Sequence, residues 1–159
     1  MSKTVRIEGL DEVVSALHNA GNVVNTEGRR FLDDLGAWTV KQAQAHTTQA
    51  GAIDLGELVS GIYYKTTVTP SGMETVVRPS DKADEYAIFV ERGTKPHFPP
   101  IAALQGWADR HGIPAFLVAR KIARDGTEPR YMWRDTLNDL QQKVDSEANR
   151  FAVRLVGKL

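Results

Sequence analysis

Histidine side chains are the first candidates for chemistry in this chain. The four histidines are His18, His46, His97 and His111. No two of them have the spacing that places two metal ligands on one face of a helix. His97, Asp109 and His111 would form a metal site if the chain folds back around its proline-rich turn, but single histidines beside aromatic residues are more often hydrogen-bonded loop residues. We therefore predict no metal and no cofactor.

Carboxylates and hydroxyl groups are the other candidates for catalysis. Candidate carboxylates occur at three places: Asp33 with Asp34, Asp81 with Asp84 and Glu85, and Glu91. Glycosidase chemistry needs two carboxylates at a fixed separation in a cleft, whereas adjacent acids are usually solvated. The sequence has no Gly-x-Ser-x-Gly motif, no glycine-rich phosphate loop and no cysteine. We predict a protein that is not an enzyme; a hydrolase that uses a carboxylate pair or His97 stays open as an alternative.

A group of basic residues offers a second alternative, a nucleic-acid-binding module. Its members are Arg110, Arg120, Lys121, Arg124, Arg130 and Arg134. Nearby aromatic residues could act as stacking platforms for single strands, but Trp107 and Phe116 lie on apolar helical faces, where core packing explains them better. The 20 basic and 20 acidic residues of the chain cancel, so there is no general attraction for phosphate backbones.

The elements that must position these residues begin with helices. Alternating residues predict a strand or arm over 1–9, and apolar residues at helical spacing predict a short helix from Leu10 that ends at Gly21. A first long helix is predicted from Thr26 to His46. Residues 47–60 are rich in threonine, glycine and alanine, which favours a flexible loop.

The middle of the chain predicts a small sheet. β-Branched and aromatic residues flank the turn Pro70–Gly72, which indicates a hairpin. The stretch EYAIFVERG, residues 85–93, predicts a third strand that ends at Gly93. A helix should then start at Pro100, with Ile101, Leu104 and Trp107 on its inner face, and stop at Gly112.

Two more helices are predicted after Gly112. The first contains residues 114–126 and places Phe116, Leu117, Ala119 and Ile122 on its apolar face. The second is the C-terminal helix over 131–159, whose apolar residues recur every three or four positions. These residues are Leu137, Leu140, Val144, Ala148, Phe151 and Leu155. The order of elements predicts a single α+β domain over 1–159, in which long amphipathic helices pack a small antiparallel sheet.

The stretch from Glu91 to Pro100 combines a charged tip with prolines at 96, 99 and 100. Rigid segments lose less conformational freedom on docking. A stiff, apolar and chemically silent segment therefore indicates a contact surface, and a merely rigid surface turn is the alternative. The chain has no run of about 18 apolar residues, so no membrane span is predicted.

Two stretches, YAIFVERGTKPHFPP and FLVARKIARDGTEPRYMWRDTLND, resemble the tail-component, head–tail joining family of long-tailed, lambda-like bacteriophages. The residues that carry this resemblance are Tyr86, Ala87, Val90, Glu91, Gly93 and Thr94, then Gly126, Pro129 and Arg130. The opening IEGLDEVVSAL is also similar to that of the family. Where the family often has Asp-Thr-Gly-x-Leu, this chain departs from the pattern with Leu55 in place of the threonine.

The resemblance implies a structural virion protein of the phage neck or tail top. Such a subunit would form a homo-oligomeric ring, six-fold by analogy with neighbouring tail proteins, and take part in tail completion and head–tail joining. Its implied partners are further copies of itself, a head-closure or connector protein, and tail-terminator or tail-tube proteins. Phage DNA would pass through the lumen without sequence-specific binding. The expected location is the virion, after assembly in the host bacterial cytoplasm and without membrane contact.

Contacts between subunits are predicted in the loop after residue 47 and in the turn after Glu91. The candidate interface residues are Asp54, Gly56, Leu58, Glu91, Arg92, Gly93, Thr94, Lys95, Pro96, His97 and Phe98. If this protein lines the lumen, acidic or mixed side chains are expected there, because a strongly basic lumen would retain passing DNA.

Overall fold

The computed structural model describes residues 10–51 and 56–158. Within these residues the chain forms six helices and one hairpin, in this order: α1 (Leu10–Gln49), α2 (Glu57–Ser60), β1 (Tyr63–Thr69), β2 (Gly72–Arg78), α3 (Asp81–Arg92), α4 (Ile101–His111), α5 (Ala115–Asp125) and α6 (Met132–Val156). This arrangement confirms the predicted α+β class, with a small antiparallel sheet packed by long helices. The predicted strand or arm over 1–9 lies outside the described residues.

The helix α1 replaces the two helices that were predicted before residue 47. Gly21 does not end a helix, because α1 continues through it without interruption. A glycine in a helix interior costs only about 0.5–1 kcal/mol, and the apolar stripe keeps its phase across Gly21. The predicted loop over 47–60 is also shorter than expected: α1 extends to Gln49, and residues 57–60 form α2.

The helix α6 packs antiparallel along α1. At one end, the Thr47 hydroxyl lies 3.2 Å from the sulfur of Met132. Towards the other end, the rings of Phe31 and Phe151 are 5.1 Å apart. Buried Thr47 and Thr136 each donate a hydrogen bond to a carbonyl four residues earlier, so these small residues line the seam without an unpaired hydroxyl.

The predicted seam of α6 is partly wrong. Leu140, Val144, Phe151 and Leu155 are half-buried as expected, but Leu137 and Ala148 are exposed. The fully buried positions are instead Met132, Thr136 and Glu147. The sequence pattern missed them because buried threonine and glutamate need local partners that periodicity does not reveal.

The seam between α1 and α6 also contains buried carboxylates. Glu27 is only 2% exposed; it pairs with Lys158 and lies 3.6 Å from Nε of Arg154. The hydrogen bond from Lys158 lowers the pKa of Glu27. Glu147 lies 2.9 Å from Nζ of Lys143 and 2.7 Å from a guanidinium nitrogen of Arg150, and the Lys143 contact lowers its pKa.

The hairpin lies across α1. Its strands pair in the register Tyr64↔Val77 and Thr66↔Thr75, and Thr66 donates a 2.5 Å hydrogen bond to Asp33 of α1. A Cβ added to Gly36 would lie 2.6 Å from the Tyr64 ring. The absence of a side chain at Gly36 therefore allows the hairpin to approach α1 closely.

The third strand predicted for EYAIFVERG is wrong, because these residues belong to the helix α3. Ala83 and Ala87 are buried against Leu58 and Met132, and Tyr86 and Val90 pack beside them. This spacing matches a helical face, whereas the prediction rested on the β-propensity of consecutive apolar residues. Acidic Asp81 and Asp84 in the first turn also favour the helix through its dipole. The sheet consequently has two strands in the described residues.

The two helices predicted after Pro100 are confirmed as α4 and α5, and Gly112 ends α4 with φ 64°. They pack on each other, but their buried residues are small: Ala108, Ala115 and Ala119. Ile101 and Leu117 are exposed, and Phe116 is 53% exposed. The prediction that Phe116 packs in a core is therefore wrong, since the buried positions of these two helices are occupied by alanines.

Gly36→Ala should destabilise the protein by roughly 1–3 kcal/mol, as overpacking usually does, because the new methyl group would overlap the Tyr64 ring. Urea unfolding would measure the difference. The matched control is Gly28→Ala on the same helix, where nothing lies within 4 Å of an added Cβ. Alanine should stabilise the helix there by about 0.5–1 kcal/mol. Equal stability of the two variants would contradict the described packing.

Acidification should lower the free energy of unfolding through Glu27 and Glu147. Their folded-state pKa values are lowered, so their contribution is present at neutral pH and is lost as the pH falls below about 5 and through the folded pKa values. Glu27→Gln should reduce stability at neutral pH and flatten this pH dependence. The control is Asp145→Asn at an exposed site. An unchanged pH profile in Glu27→Gln would refute the role of this carboxylate.

Candidate functional site

Two segments of chain cross at Gly93 and Gly126 in direct backbone contact. The amide of Thr94 donates to the Thr127 carbonyl, and the amide of Thr127 donates to the Thr94 carbonyl, both at 3.1 Å. A Cβ on Gly93 would lie 2.2 Å from the Thr127 oxygen, and a Cβ on Gly126 would lie 2.0 Å from the Thr94 oxygen. We call these four residues the glycine crossing.

The backbone at the glycine crossing independently requires glycine. Gly93 has φ 67° and ψ −176°, and Gly126 has φ 74° and ψ −156°. This region of conformational space is accessible essentially to glycine alone. Glycine is therefore required at both positions for two reasons: its torsion angles, and the lack of room for a Cβ atom.

Glu91 caps the first turn of α6 from a distance of about 40 residues in sequence. Its carboxylate accepts hydrogen bonds from the backbone amides of Trp133 at 2.8 Å and Arg134 at 3.0 Å. Its backbone carbonyl accepts a further bond from Tyr131. Tyr131 itself supplies no side-chain cap and has φ 53°. A carboxylate from α3 thus satisfies the free amides of α6 and interacts favourably with its dipole.

An apolar groove of about 1130 Å³ lies beside the glycine crossing. The helices α2 and α3 contribute one part of its lining, with Leu58, Phe89 and Val90. Leu104 and Trp107 of α4 and Ile122 of α5 contribute another. The groove is also lined by Thr94, Thr127 and the proline-rich segment, through Pro96, His97 and Pro99. An apolar groove of this kind is suited to contact with another apolar surface.

The structure gives several predicted interface residues a role inside the chain. Glu91, Gly93 and Thr94 belong to the cap and the crossing, and Leu58 is buried against Ala83, Ala87 and Met132. Gly56 has φ 78° at the start of α2, and Asp54 lies outside the described residues. Their contacts with other subunits stay predictions.

The remaining predicted interface residues are accessible. Arg92, Lys95, Pro96, His97 and Phe98 are exposed, and Phe98 reaches 56%. Pro99 directly after them is buried. The segment 95–98 is therefore presented to solvent between two fixed points, the glycine crossing and Pro99.

The histidines and acids are not gathered into a reactive cluster. His97 contacts the carbonyl of Lys95 through Nδ1, whereas His111 stacks on Trp107 with ring centroids 4.1 Å apart. Asp109 accepts a hydrogen bond from Gln105. Across residues 10–51 and 56–158, no three histidine or carboxylate side chains come together as metal ligands. The structure does not bring His97, Asp109 and His111 into a metal site.

The basic group is partly neutralised by its own neighbours. Arg124 forms two 2.7 Å hydrogen bonds with Asp125. Arg134 donates to Asp135 at 2.8 Å and lies 4.0 Å above the Tyr131 ring. Two of the six basic side chains thus have acidic partners one residue away, which reduces the local positive potential.

The sequence missed how the motif residues are used. Both glycines belong to the motifs of the sequence, but Gly93 and Gly126 are 33 positions apart, so nothing in the local sequence indicates that they touch. One signal was available: α6 begins at an aromatic residue with no capping side chain of its own, which requires a partner from elsewhere. The groove residues Leu104, Trp107 and Ile122 were interpreted as core.

Comparisons of this chain with protein-family models, with curated proteins and with solved structures find no match. Among the described helices, none is long and apolar enough to cross a membrane. The resemblance to phage neck proteins therefore rests on the sequence motifs alone.

Glu91→Ala should lower the free energy of unfolding by about 1–2 kcal/mol, as loss of a helix cap does. Glu91→Gln should have a smaller effect, because the amide oxygen still accepts a hydrogen bond but carries no charge. Denaturant unfolding of both variants would measure this order. Glu85→Ala is the control on the exposed side of α3 and should change stability by less than about 0.5 kcal/mol. Identical effects at residues 85 and 91 would disprove the cap.

Proposed function

We propose that this protein is a non-enzymatic structural subunit of the neck or tail top of a long-tailed bacteriophage. Copies of it would form a ring that takes part in tail completion and head–tail joining. The observation that carries the proposal is an apolar groove next to a rigid, exposed segment, residues 95–98, on the same part of the molecule. The motif residues that resemble the phage family support it, because they are the ones that fix this arrangement.

The surface area of the chain supports self-association. Its accessible surface is 11329 Å², whereas a compact monomer of 17.6 kDa would expose about 7900 Å². Large apolar residues contribute to this surface near the groove and on α5, including Phe89, Phe98, Phe116 and Leu117. Large apolar residues exposed on neighbouring elements support burial of this surface against partners.

A ring would use the groove and the exposed side chain of Phe98, which does not line the groove, as two different surfaces. Contacts between unlike surfaces of identical copies are heterologous, and they close into a ring when the rotation between copies is suitable. Phe98 of one copy would enter the groove of the next as an aromatic anchor. Because the crossing and the buried Pro99 already restrain this segment, little conformational freedom would be lost on docking.

The further partners follow from the position of such a ring. A head-closure or connector protein would lie on one side, and a tail-terminator or tail-tube protein on the other. Phage DNA would pass through the lumen, and a chain with balanced charge would not retain it by phosphate contacts. The mature location would be the virion.

The wild-type protein should assemble into rings that are visible by electron microscopy, with a native mass several times its 17.6 kDa monomer. Phe98→Asp should abolish the rings, since it places a charge in an apolar contact. Val76→Asp on the exposed face of the hairpin is the control and should leave the rings intact.

Mass analysis of isolated virions or tails completes this test, and the protein should be found there in multiple copies. A polypeptide that never forms rings and is missing from mature particles would refute the proposal. Turnover of a substrate by the purified chain would do the same.

A further inference from the structure

The N-terminal part of α1 extends beyond the described segments that pack on the rest of the helix. Lys158, two residues after the end of α6, pairs with Glu27, and the tip of the hairpin lies beside Asn25 and Thr26. Residues 10–24 continue past both. We call them the α1 overhang; at 1.5 Å per residue it is about 22 Å long.

The described side chains of the α1 overhang are open to solvent. Leu17 is 68% exposed and Val24 is 43% exposed, and between residues 15 and 24 only Ala20 and Val23 are half-buried. An isolated helix of about this length is marginal in water. Within residues 10–51 and 56–158, the overhang therefore has little of the tertiary packing that stabilises most helices of proteins.

The apolar stripe of the overhang is continuous with the seam that α1 makes with α6. Apolar residues recur at steps of seven, at Leu10, Leu17, Val24, Phe31 and Trp38. Phe31 contacts Phe151, and Trp38 lies under the ammonium group of Lys143. A seven-residue repeat keeps one face of a helix towards a partner helix. The stripe that binds α6 thus continues where α6 has ended.

The charge of the overhang favours a second copy as the partner. Residues 15–24, SALHNAGNVV, contain no aspartate, glutamate, lysine or arginine. Two such segments can approach without like-charge repulsion, which opposes the pairing of identical charged helices. The charged residues of the overhang are Asp11 and Glu12, near its N-terminal end. In an antiparallel pair the acids of the two copies would lie at opposite ends and would not meet.

We infer that the α1 overhang pairs with the overhang of a second copy, antiparallel and around a two-fold axis near Leu17. An incoming antiparallel helix would continue the line of α6 along the same stripe. Its N-terminus would then face the C-terminus of α6, so opposite ends of the two helix dipoles would meet. In a parallel pair, the C-terminus of α6 and the hairpin of one copy would lie beside the same elements of the other copy and would crowd them.

This pairing goes beyond the proposed ring and does not rest on it. A cyclic ring contains only heterologous contacts, whereas the overhang makes an isologous one. The two contacts use separate surfaces, the groove with residues 95–98 for the ring and the overhang for the pair. Pairs form in the free protein or join two rings, and either contact can be broken without the other.

The absence of cysteine from the chain allows a direct test by single-cysteine oxidation. Leu17→Cys should form a disulfide-linked dimer at high yield, because the two residues would meet at the axis. Val24→Cys should not link to itself, since the antiparallel arrangement separates the two copies of residue 24. Val76→Cys on the exposed hairpin face reports random collisions. All three would be compared in the Phe98→Asp background, where ring contacts are removed.

Size-exclusion chromatography with light scattering gives the second measurement. The Phe98→Asp variant, which keeps Leu17, should have the mass of a dimer. Adding Leu17→Asp to it should halve the apparent mass. The thermal melting curve should change no more than it does with the control substitution Val76→Asp. No cross-link at residue 17, or an unchanged mass in Leu17→Asp, would overturn the inference.

Two further outcomes would also overturn it. Equal cross-linking of Val24→Cys and Leu17→Cys would indicate a parallel pair. A cross-link between Leu17→Cys of one copy and Phe89→Cys of another would place the overhang in the groove of its neighbour. Rings without pairs would refute only this inference, and pairs without rings would refute only the proposed function.

Discussion

The architecture depends on one backbone-to-backbone contact, the glycine crossing. Two reciprocal hydrogen bonds hold Thr94 against Thr127, and the lack of a side chain at Gly93 and Gly126 is what lets the two segments come this close. The contact ties the end of α3 to the segment that leads into α6. Because Glu91 caps α6 only two residues before the crossing, the same joint also sets where α6 begins.

The residues between the two glycines consequently form a closed loop that contains α4 and α5. The segment 95–125 leaves and returns at the same point, and α4 and α5 pack on each other within it. The groove lies where this loop faces α2 and α3. The shape of the groove therefore depends on the glycine crossing, which fixes the position of α4 and α5 relative to α2 and α3.

Local chemistry allowed part of this fold to be predicted. The turn at Pro70 predicts a hairpin, and Gly112 predicts the end of α4; both predictions are confirmed. Residues 85–93 were assigned to a strand because Ile88, Phe89 and Val90 favour strands locally, while burial of Ala83 and Ala87 against Leu58 and Met132 decides for a helix. The candidate site was half predicted: its motif residues were found, but a contact across 33 residues is not encoded in local sequence.

The distribution of apolar residues connects the fold to assembly. Six of the nine buried hydrophobic residues among those described are alanines, which gain little from leaving water because the hydrophobic effect scales with area. Large residues such as Leu17, Phe89 and Phe98 are exposed instead. The monomer is held together by backbone contacts, a helix cap and carboxylates that pair with basic side chains at the α1–α6 seam. Much of the apolar area that could stabilise it further is exposed to solvent. A chain organised in this way would gain stability from the proposed association of copies, since burial of these residues against neighbours would add the free energy that the small core does not provide.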